Sequence, residues 1–423
     1  MSNAARLLFE CPYYPWLDSC TSKYMKFDIL NNEPKQTLKT KDAKFREGAI
    51  ERWENDGGRS LSKMKPAFYE KLNSLGPFPC EGRAAYTPEG SHKIFKFERR
   101  ALQPKDVAMK ILYCGICHSD IHTIRQDWGE VKYPQITGHE LAGEVVAVGS
   151  SVSKFKVGSR VGVGCMVNSC RHCEPCLNGT EQYCDNGSVM TYGSIDRDGS
   201  ITQGGYSTFN VVDEDFLIHI PDAIDLADAG PLMCAGITVY SPLKHWSVAP
   251  GQKVAIIGMG GLGHMGVKIA NAIGAEVTVI TSSQDKTDDA KRFGAKAVIL
   301  NRDGADFSKY KRSFDFMLDT IPNQHNLDPL LSMLKINSTL CIVGVGKVIE
   351  PHQVGPFTLV GSRNSLSGSA IGGIRETQEL ADFCAIHKIR PEIQKIPMSG
   401  IDDAWKNVFE RKARYRYVID MKL

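Results

Sequence analysis

Apolar and polar positions alternate along one long region of the chain, from about residue 83 to residue 217. Residues 107–111 and 143–149 show the alternation clearly, and residues 156–163 form a further strand-like stretch bounded by turn residues. Alternation with a period of two is typical of strands that have one buried face. This region therefore predicts an irregular, mainly β domain that is punctuated by glycines.

The spacing changes between about residue 228 and residue 368. Residues 253–257 form a continuous apolar run, as expected for a strand that is buried on both faces. Residues 276–280 are predicted to form the next buried strand. Helices are predicted over 262–273 and 286–293. Buried strands that alternate with helices predict an α/β fold with a doubly wound parallel sheet of the Rossmann type.

These changes of pattern divide the chain into three parts. We predict an N-terminal extension over 1–76, a first domain over 77–227 and a second domain over 228–368. After residue 369 the chain is predicted to return to the first domain and to complete it over 369–423. The last predicted strand is 415–420, which is rich in aromatic and β-branched residues.

The extension differs from the rest of the chain in its turn-rich start and its dense charge. Phe45, Ala49, Ile50 and Trp53 fall at helical spacing, so a short amphipathic helix is predicted there. The sequence leaves two interpretations open. The extension is either an appendage packed on the main body or on a partner subunit, or a separate binding module.

Composition narrows the class of protein. The 423 residues carry a formal net charge of +3 with both signs interspersed, which gives no reason to expect a nucleic-acid partner. No apolar run reaches the roughly 18 residues that a membrane helix needs, and no secretory signal is evident at the N-terminus. The expectation is a cytoplasmic protein without a membrane or nucleic-acid partner. Because the thirteen cysteines are odd in number, metal ligation and free thiols are a better account than disulfides.

Four cysteines lie close together in the first domain. They are Cys170, Cys173, Cys176 and Cys184. Four thiolates at this spacing fit a closed, tetrahedral structural zinc site that staples a loop. The alternative of four thiols without a metal is disfavoured by their density.

A second set of candidate metal ligands is spread along the sequence. Cys117, His139 and Cys234 offer two thiolates and one imidazole, the donor set of an open catalytic zinc site. Glu140 is a candidate for transient occupation of the fourth position, and Asp120 is a candidate hydrogen-bond acceptor for His139. Each residue alone has an ordinary interpretation, since a single buried cysteine is usually a small hydrophobe and Asp120 could be a surface cap.

A glycine-rich loop, 258–263, follows a predicted buried strand and opens a helix. In this context G-x-G-x-x-G indicates a dinucleotide site, although a tight turn without a ligand is the alternative. The next strand ends in Ser282 and Ser283 rather than in the acid typical of NAD sites. Lys286 can add positive charge, so NADP(H) is favoured, and the alternative is that the serines only cap a helix.

Together these motifs resemble the zinc-dependent medium-chain dehydrogenase/reductases. Within that family, residues 260–266, 369–373, 376–379 and 415–420 look like the cinnamyl-alcohol-dehydrogenase group, and especially like bacterial NADPH-dependent aldehyde reductases. The resemblance covers residues from about 82 to the end. It implies a GroES-like catalytic domain, a Rossmann domain, two zinc ions per chain, NADP(H) and a homodimer. The N-terminal extension is foreign to the family pattern.

The resemblance also implies roles for individual residues. Cys117, His139 and Cys234 match the catalytic zinc ligands, and Ser119 and His122 match a proton relay. The implied cofactor contacts are Thr238, Gly258, Gly260, Gly261, Leu262, Gly263, Ser282, Ser283, Lys286, Val343, Ser369 and Ile371. The implied activity is the interconversion of aldehydes and primary alcohols, with reduction of a broad range of aromatic and aliphatic aldehydes as the expected direction.

One departure from the family pattern concerns the substrate. The lignin-pathway members carry a bulky aromatic residue shortly after the last cysteine of the structural zinc site, whereas this chain has 187–190, Gly-Ser-Val-Met. A dedicated cinnamyl substrate is therefore in doubt. Ile116, Trp128 and Met190 are candidate pocket residues, and simple core packing is the alternative for Trp128.

Two other classes of protein are less consistent with the sequence. A catalytically inactive regulator would be expected to have a damaged ligand set, and a zinc-free quinone reductase would lack the four cysteines.

Overall fold

The structure is a computed structural model that describes residues 76–302, 305–347 and 351–423. The predicted N-terminal extension, including the helix expected near residues 45–53, lies outside these residues apart from Gly76. Among the residues described, no helix has the length and apolar character needed to cross a membrane.

The first domain is built mainly from short strands, as the alternating pattern predicts. These strands are β1 (Phe78–Ala85), β2 (His92–Arg99), β3 (Asp106–Gly115), β4 (Leu141–Val148), β5 (Arg160–Val163), β6 (Met166–Asn168), β7 (Val189–Met190), β8 (Phe209–Asp213) and β9 (Ile218–His219). Although residues 107–111 alternate in sequence, β3 is almost wholly buried, because Ala108 packs in one apolar cluster and Met109 in another.

The strand predicted over 156–163 begins only at Arg160. The preceding residues form a turn, in which the Ser159 N–H donates to the Lys156 carbonyl at 3.0 Å and the Lys156 N–H donates to Ser159 Oγ at 3.1 Å. A serine hydroxyl that competes for backbone donors in this way favours a turn over a strand.

The second domain contains a six-stranded parallel sheet. Its strands are β10 (Lys253–Ile257), β11 (Glu276–Thr281), β12 (Ala297–Leu300), β13 (Phe314–Asp319), β14 (Leu334–Ile342) and β15 (Ser365–Gly368). Their order is β12-β11-β10-β13-β14-β15, the order of a Rossmann sheet, with its ligand crevice beyond the carboxyl ends of the strands. Most residues of β10 and β13 are buried, which explains the apolar run in β10.

The chain then returns to the first domain through β16 (Ile393–Ile396) and β17 (Arg416–Asp420). The larger sheet of that domain has the order β16-β17-β3-β4-β5-β9, and β8 also pairs with β3. In the antiparallel pairing of β17 with β3, Val418 lies opposite Gly115. The last strand is therefore positioned beside the segment that leads into Cys117.

Helices connect and cover the two sheets. They are α1 (His118–Ile124), α2 (Glu174–Asn178), α3 (Leu226–Pro231), α4 (Ile237–His245), α5 (Gly261–Ile273), α6 (Thr287–Arg292), α7 (Asp328–Ser332), α8 (Pro356–Val360), α9 (Ile374–His387) and α10 (Ile401–Phe409). Short 3₁₀ turns lie at Glu181–Tyr183, Glu214–Phe216, Gln284–Lys286, Ser308–Tyr310 and Met398–Gly400. The helix predicted over 286–293 starts one residue late, because a 3₁₀ turn precedes it.

A π-helical turn, Leu232–Gly236, joins α3 to α4. Such turns insert an extra residue into a helix and are found frequently at functional sites. Gly230 allows α3 to lie close to the residue before β4, since a Cβ on it would come within 2.6 Å of the Glu140 carbonyl oxygen. The π-helical turn carries Cys234 and positions it beside the first domain.

Candidate active site and cofactor cleft

The structure brings together the three dispersed ligand candidates. The ligand atoms of Cys117, His139, Glu140 and Cys234 all lie within 4.8 Å of one another, and the two sulfur atoms are 4.0 Å apart. His139 Nε2 is buried without a hydrogen-bond partner, as expected for a nitrogen whose lone pair serves a metal. Two thiolates, one imidazole and a nearby carboxylate fit a zinc ion that keeps one position open.

The other nitrogen of His139 has two neighbours. Its Nδ1 atom lies 3.1 Å from the Tyr192 hydroxyl and 3.2 Å from Asp120 Oδ1. Asp120 is thus close enough for the predicted role, but Tyr192, which sequence reasoning missed, has the better hydrogen-bond geometry. Because the Asp120 carboxylate can only accept a hydrogen bond, it favours the proton on Nδ1 and leaves Nε2 free for a metal.

Asp120 is fully buried and is therefore not the surface cap considered from the sequence. It accepts hydrogen bonds from the Cys117 N–H at 2.9 Å and the Gly138 N–H at 3.0 Å. The Tyr206 hydroxyl donates a third bond to it at 2.8 Å. One carboxylate thus connects the two segments that carry the first two ligands.

Glu140, which directly follows the candidate ligand His139, is fully buried. Neither of its carboxylate oxygens has a hydrogen-bond partner, although Arg416 Nη2 lies 3.3 Å from Oε1. Burial raises the pKa of Glu140 to about 7, against the opposing charge of Arg416. A carboxylate held in this way has a free oxygen available to a metal ion.

The two relay candidates lie on α1. Ser119 Oγ is 3.6 Å from Cys117 Sγ, and His122 Nδ1 is 2.8 Å from Asp127 Oδ2. The Nε2 atom of His122 is buried without a partner, and its ring stacks on Trp128 at a centroid distance of 5.1 Å. Both side chains face one large cleft, and no described hydrogen bond joins them directly.

The four-cysteine cluster forms a separate site around α2. Its four sulfur atoms lie within 4.8 Å of one another, and the Cys170–Cys176 and Cys173–Cys184 pairs are each 3.9 Å apart. The Cys170 N–H donates to Cys184 Sγ and the Cys173 N–H donates to Cys170 Sγ, both at 3.4 Å. Backbone donors of this kind stabilise thiolates, so the geometry fits a closed zinc site.

A cavity of about 1020 Å³ lies between the two domains. Nearly all the predicted cofactor contacts line it, and they are Thr238, Gly258, Gly260, Gly261, Leu262, Ser282, Ser283, Lys286, Val343, Ser369 and Ile371. Gly263 instead lies beneath the turn, where a Cβ would come within 2.1 Å of the Gly258 carbonyl oxygen. Gly258 itself has a φ of +92°, which glycine adopts without strain.

The pocket candidates Ile116, Trp128 and Met190 line the same cavity. Trp128 is not core packing, because 39% of its surface is exposed. Its Nε1–H donates to the Gly346 carbonyl at 2.7 Å, which joins the two domains at this point.

Sequence reasoning also assigned no role to several basic residues in the cavity wall. Among them are His118, Arg411 and Arg416. His118 directly follows a ligand and could have been noticed on that ground. Arg416 lies in the final strand and donates to the Ile116 carbonyl at 3.1 Å, across a separation of 300 residues in the sequence. No local signal indicates such a pairing.

Two models of known protein families match long parts of this chain. The family model described as the alcohol dehydrogenase GroES-like domain matches residues 103–222, and the model described as zinc-binding dehydrogenase matches residues 261–385. NADP-dependent alcohol dehydrogenase C 1 of Mycolicibacterium smegmatis is 51% identical over 323 residues, which is 76% of this chain and 92% of that protein.

Solved structures give the same result. CAD from Helicobacter pylori, solved in complex with NADP(H), has a TM-score of 0.77 and 44% identity over 81% of this chain and 98% of its own. A cinnamyl alcohol dehydrogenase of Sorghum bicolor has a TM-score of 0.78 and 38% identity over 81% of this chain and 97% of its own.

The four-cysteine site yields the first prediction. Cys173→Ser should lower the free energy of unfolding by at least about 2 kcal/mol, because it opens a metal site that stabilises the fold. Thermal unfolding and zinc analysis should show a lower melting temperature and the loss of one zinc ion per chain. His172→Ala is the matched control, since His172 is exposed within the same loop. Wild-type stability and zinc content in Cys173→Ser would contradict the assignment.

Proposed function

This chain belongs to the zinc-dependent medium-chain dehydrogenases of the cinnamyl-alcohol-dehydrogenase-like group, and we propose that it acts as an NADPH-dependent reductase of a broad range of aldehydes. One observation carries the proposal. The Cys117–His139–Cys234 cluster opens into the same cavity that the glycine-rich loop 258–263 lines. A metal site and a dinucleotide site that share one cavity suit hydride transfer to a carbonyl carbon.

The residues of the cavity have distinct tasks in this reaction. When bound, a zinc ion would polarise the aldehyde carbonyl as a Lewis acid, and NADPH would supply the hydride. Ser119 Oγ, beside the ligand Cys117, is placed to donate a proton to the substrate oxygen. His122, on the same helix, is placed to return a proton to Ser119 from solvent through an intervening hydroxyl group.

The cavity wall also supports a substrate of moderate size. Ile116, Trp128 and Met190 offer apolar surface near the ligand cluster, and apolar walls exclude water from the reacting carbon. The lack of a bulky aromatic residue at 187–190 leaves room for both aromatic and aliphatic aldehydes. Reduction is the proposed direction because NADP is held mostly in its reduced form in cells.

The proposed preference for NADP(H) rests on the tip of β11. Ser282, Ser283 and Lys286 line the cavity there. Asp285, the first carboxylate after β11 in the sequence, forms an ion pair with Arg414. Two hydroxyls and an ammonium group suit a 2′-phosphate, which a free carboxylate at this position would repel.

We further propose two zinc ions per chain, one at each cysteine-containing site. The cysteines of the described residues form no disulfide bonds, which suits a reducing, cytoplasmic location. The proposed partners are the substrate, the cofactor and a second copy of the chain.

A homodimer is proposed from the edge of the parallel sheet. β15 is one of the two edge strands in the described part of this sheet, and exposed edges favour pairing with another chain. Phe357 and Val360 on α8, which precedes β15 in the sequence, are 89% and 76% exposed. Large apolar side chains that are exposed together are typical of subunit interfaces.

The proposed dimer interface can be tested by introducing a negative charge on α8. Phe357→Glu should give a monomer in light scattering after size-exclusion chromatography, because a carboxylate buried in an apolar interface is strongly unfavourable. Ile386→Glu is the control, since Ile386 is 75% exposed on α9 and should leave the dimer unchanged. A dimer that survives Phe357→Glu would place the interface elsewhere.

The central test of the activity is Cys234→Ser. Turnover of an aldehyde with NADPH should fall by at least about a thousandfold, because the substrate oxygen loses several kcal/mol of charge stabilisation. NADPH binding, measured by fluorescence titration, should stay within about twofold of the wild type. Cys80→Ser, at a buried thiol in another apolar cluster, should keep wild-type turnover. Substantial activity in Cys234→Ser would remove this residue from the site.

Cofactor choice can be tested separately with Ser282→Asp. The added carboxylate should reduce the ratio of kcat/KM for NADPH to that for NADH by roughly tenfold or more, because it repels the 2′-phosphate. Ser332→Asp adds the same charge on α7, away from the cavity, and should change the ratio little. An unchanged ratio in Ser282→Asp would count against the proposed 2′-phosphate site. The same assay with a panel of aldehydes defines the substrate range.

A further inference from the structure

Arg411 has an unusual backbone conformation directly after α10. Its φ is +59°, its N–H donates to the Val408 carbonyl at 3.1 Å, and the Lys412 N–H donates to the Asn407 carbonyl at 2.8 Å. These two bonds define a Schellman motif, in which the left-handed position is usually glycine. A side chain at that position strains the backbone, because its Cβ comes close to a carbonyl oxygen.

The guanidinium group of Arg411 is exposed and makes no hydrogen bond or ion pair within the described residues. Neighbouring cations differ in this respect. Arg414 pairs with Asp285 and Asp289, and Lys412 pairs with Glu410. Arg411 is thus a strained residue whose charge has no protein partner.

Arg411 lines the cleft between the domains together with His118, Ser282, Ser283 and Lys286. Neither Arg411 nor Lys286 forms an ion pair with a described carboxylate. Burial chiefly lowers the pKa of Lys286, with Arg414 and Arg411 adding to the effect. Arg411 and Lys286 come from two separate segments of the chain, and a bound anion would relieve the repulsion between their charges.

We propose that Arg411 binds a phosphate group of the dinucleotide. The inference deepens the proposed function and rests on it for the identity of the ligand. The planar guanidinium presents several N–H donors that match phosphate oxygens in a bidentate manner. A strained residue at a position that favours glycine is a common sign of a functional side chain. Phosphate binding explains why an arginine occupies this position.

The test compares Arg411→Gly with the wild-type protein. Isothermal titration with NADPH, NADH, 2′,5′-ADP and 5′-ADP should show Kd about tenfold weaker for the ligands whose phosphate Arg411 contacts, because a charge-assisted bond is lost. The melting temperature without ligand should rise, because glycine removes the backbone strain. Arg411→Lys should restore part of the affinity.

Arg312→Gly is the matched control. Arg312 is exposed, has a φ of +54° and does not line the cleft. This variant should change the melting temperature in the same direction and leave all four Kd values unchanged. A loss of affinity in Arg312→Gly equal to that in Arg411→Gly would attribute the effect to the backbone and would overturn the inference.

The four ligands separate the remaining outcomes. Weakening confined to NADPH and 2′,5′-ADP assigns Arg411 to the 2′-phosphate, and weakening shared by NADH and 5′-ADP assigns it to the pyrophosphate. Both results support phosphate binding, whereas unchanged Kd values for all four ligands overturn it. If the wild-type protein preferred NADH, the proposed cofactor would be wrong, but NADH and 5′-ADP would still decide the role of Arg411.

Discussion

The active site depends on the buried carboxylate of Asp120. A charge in a protein interior is tolerated only when hydrogen bonds satisfy its oxygens, and here the donors are the backbone of Cys117, the backbone of Gly138 and the hydroxyl of Tyr206. Two of these donors lie at or next to metal ligands. The need to satisfy one charge therefore fixes the spacing of α1 relative to the segment before β4, even without the metal. Gly138 contributes by adopting a φ of +99°.

The last strand, β17, also contributes to this site. β17 pairs with β3, and this pairing brings Arg416 to within 3.3 Å of Glu140 Oε1. Because Arg416 also donates to the Ile116 carbonyl, it holds the segment next to Cys117, whose N–H donates to Asp120. The ligand cluster is thus supported by residues from both ends of the described chain, with the cofactor domain inserted between them.

The sequence predicts those parts of the site that have a local signature. The cysteines at 170–184 are close in sequence, and the glycines of 258–263 follow a buried strand, so local spacing alone reveals both. The geometry around Cys234 could not be predicted in this way, because a π-helical turn has no sequence period of its own. Tyr192 and Arg416 were missed since their roles arise from contacts across the fold. The late start of β5 shows that local signals can also mislead. There the hydrogen bond of a single serine side chain favours a turn although the apolar pattern predicts a strand.

The π-helical turn at Leu232–Gly236 makes the position of Cys234 sensitive to any change in the length of this helix. Each residue of an α-helix advances the side-chain direction by about 100°, so removing the extra residue ahead of Cys234 would rotate the thiol out of the ligand cluster. Restoring a regular helix would improve the local backbone hydrogen bonding and at the same time remove one ligand from the proposed metal site. Helical regularity and metal coordination are therefore opposed within these few residues.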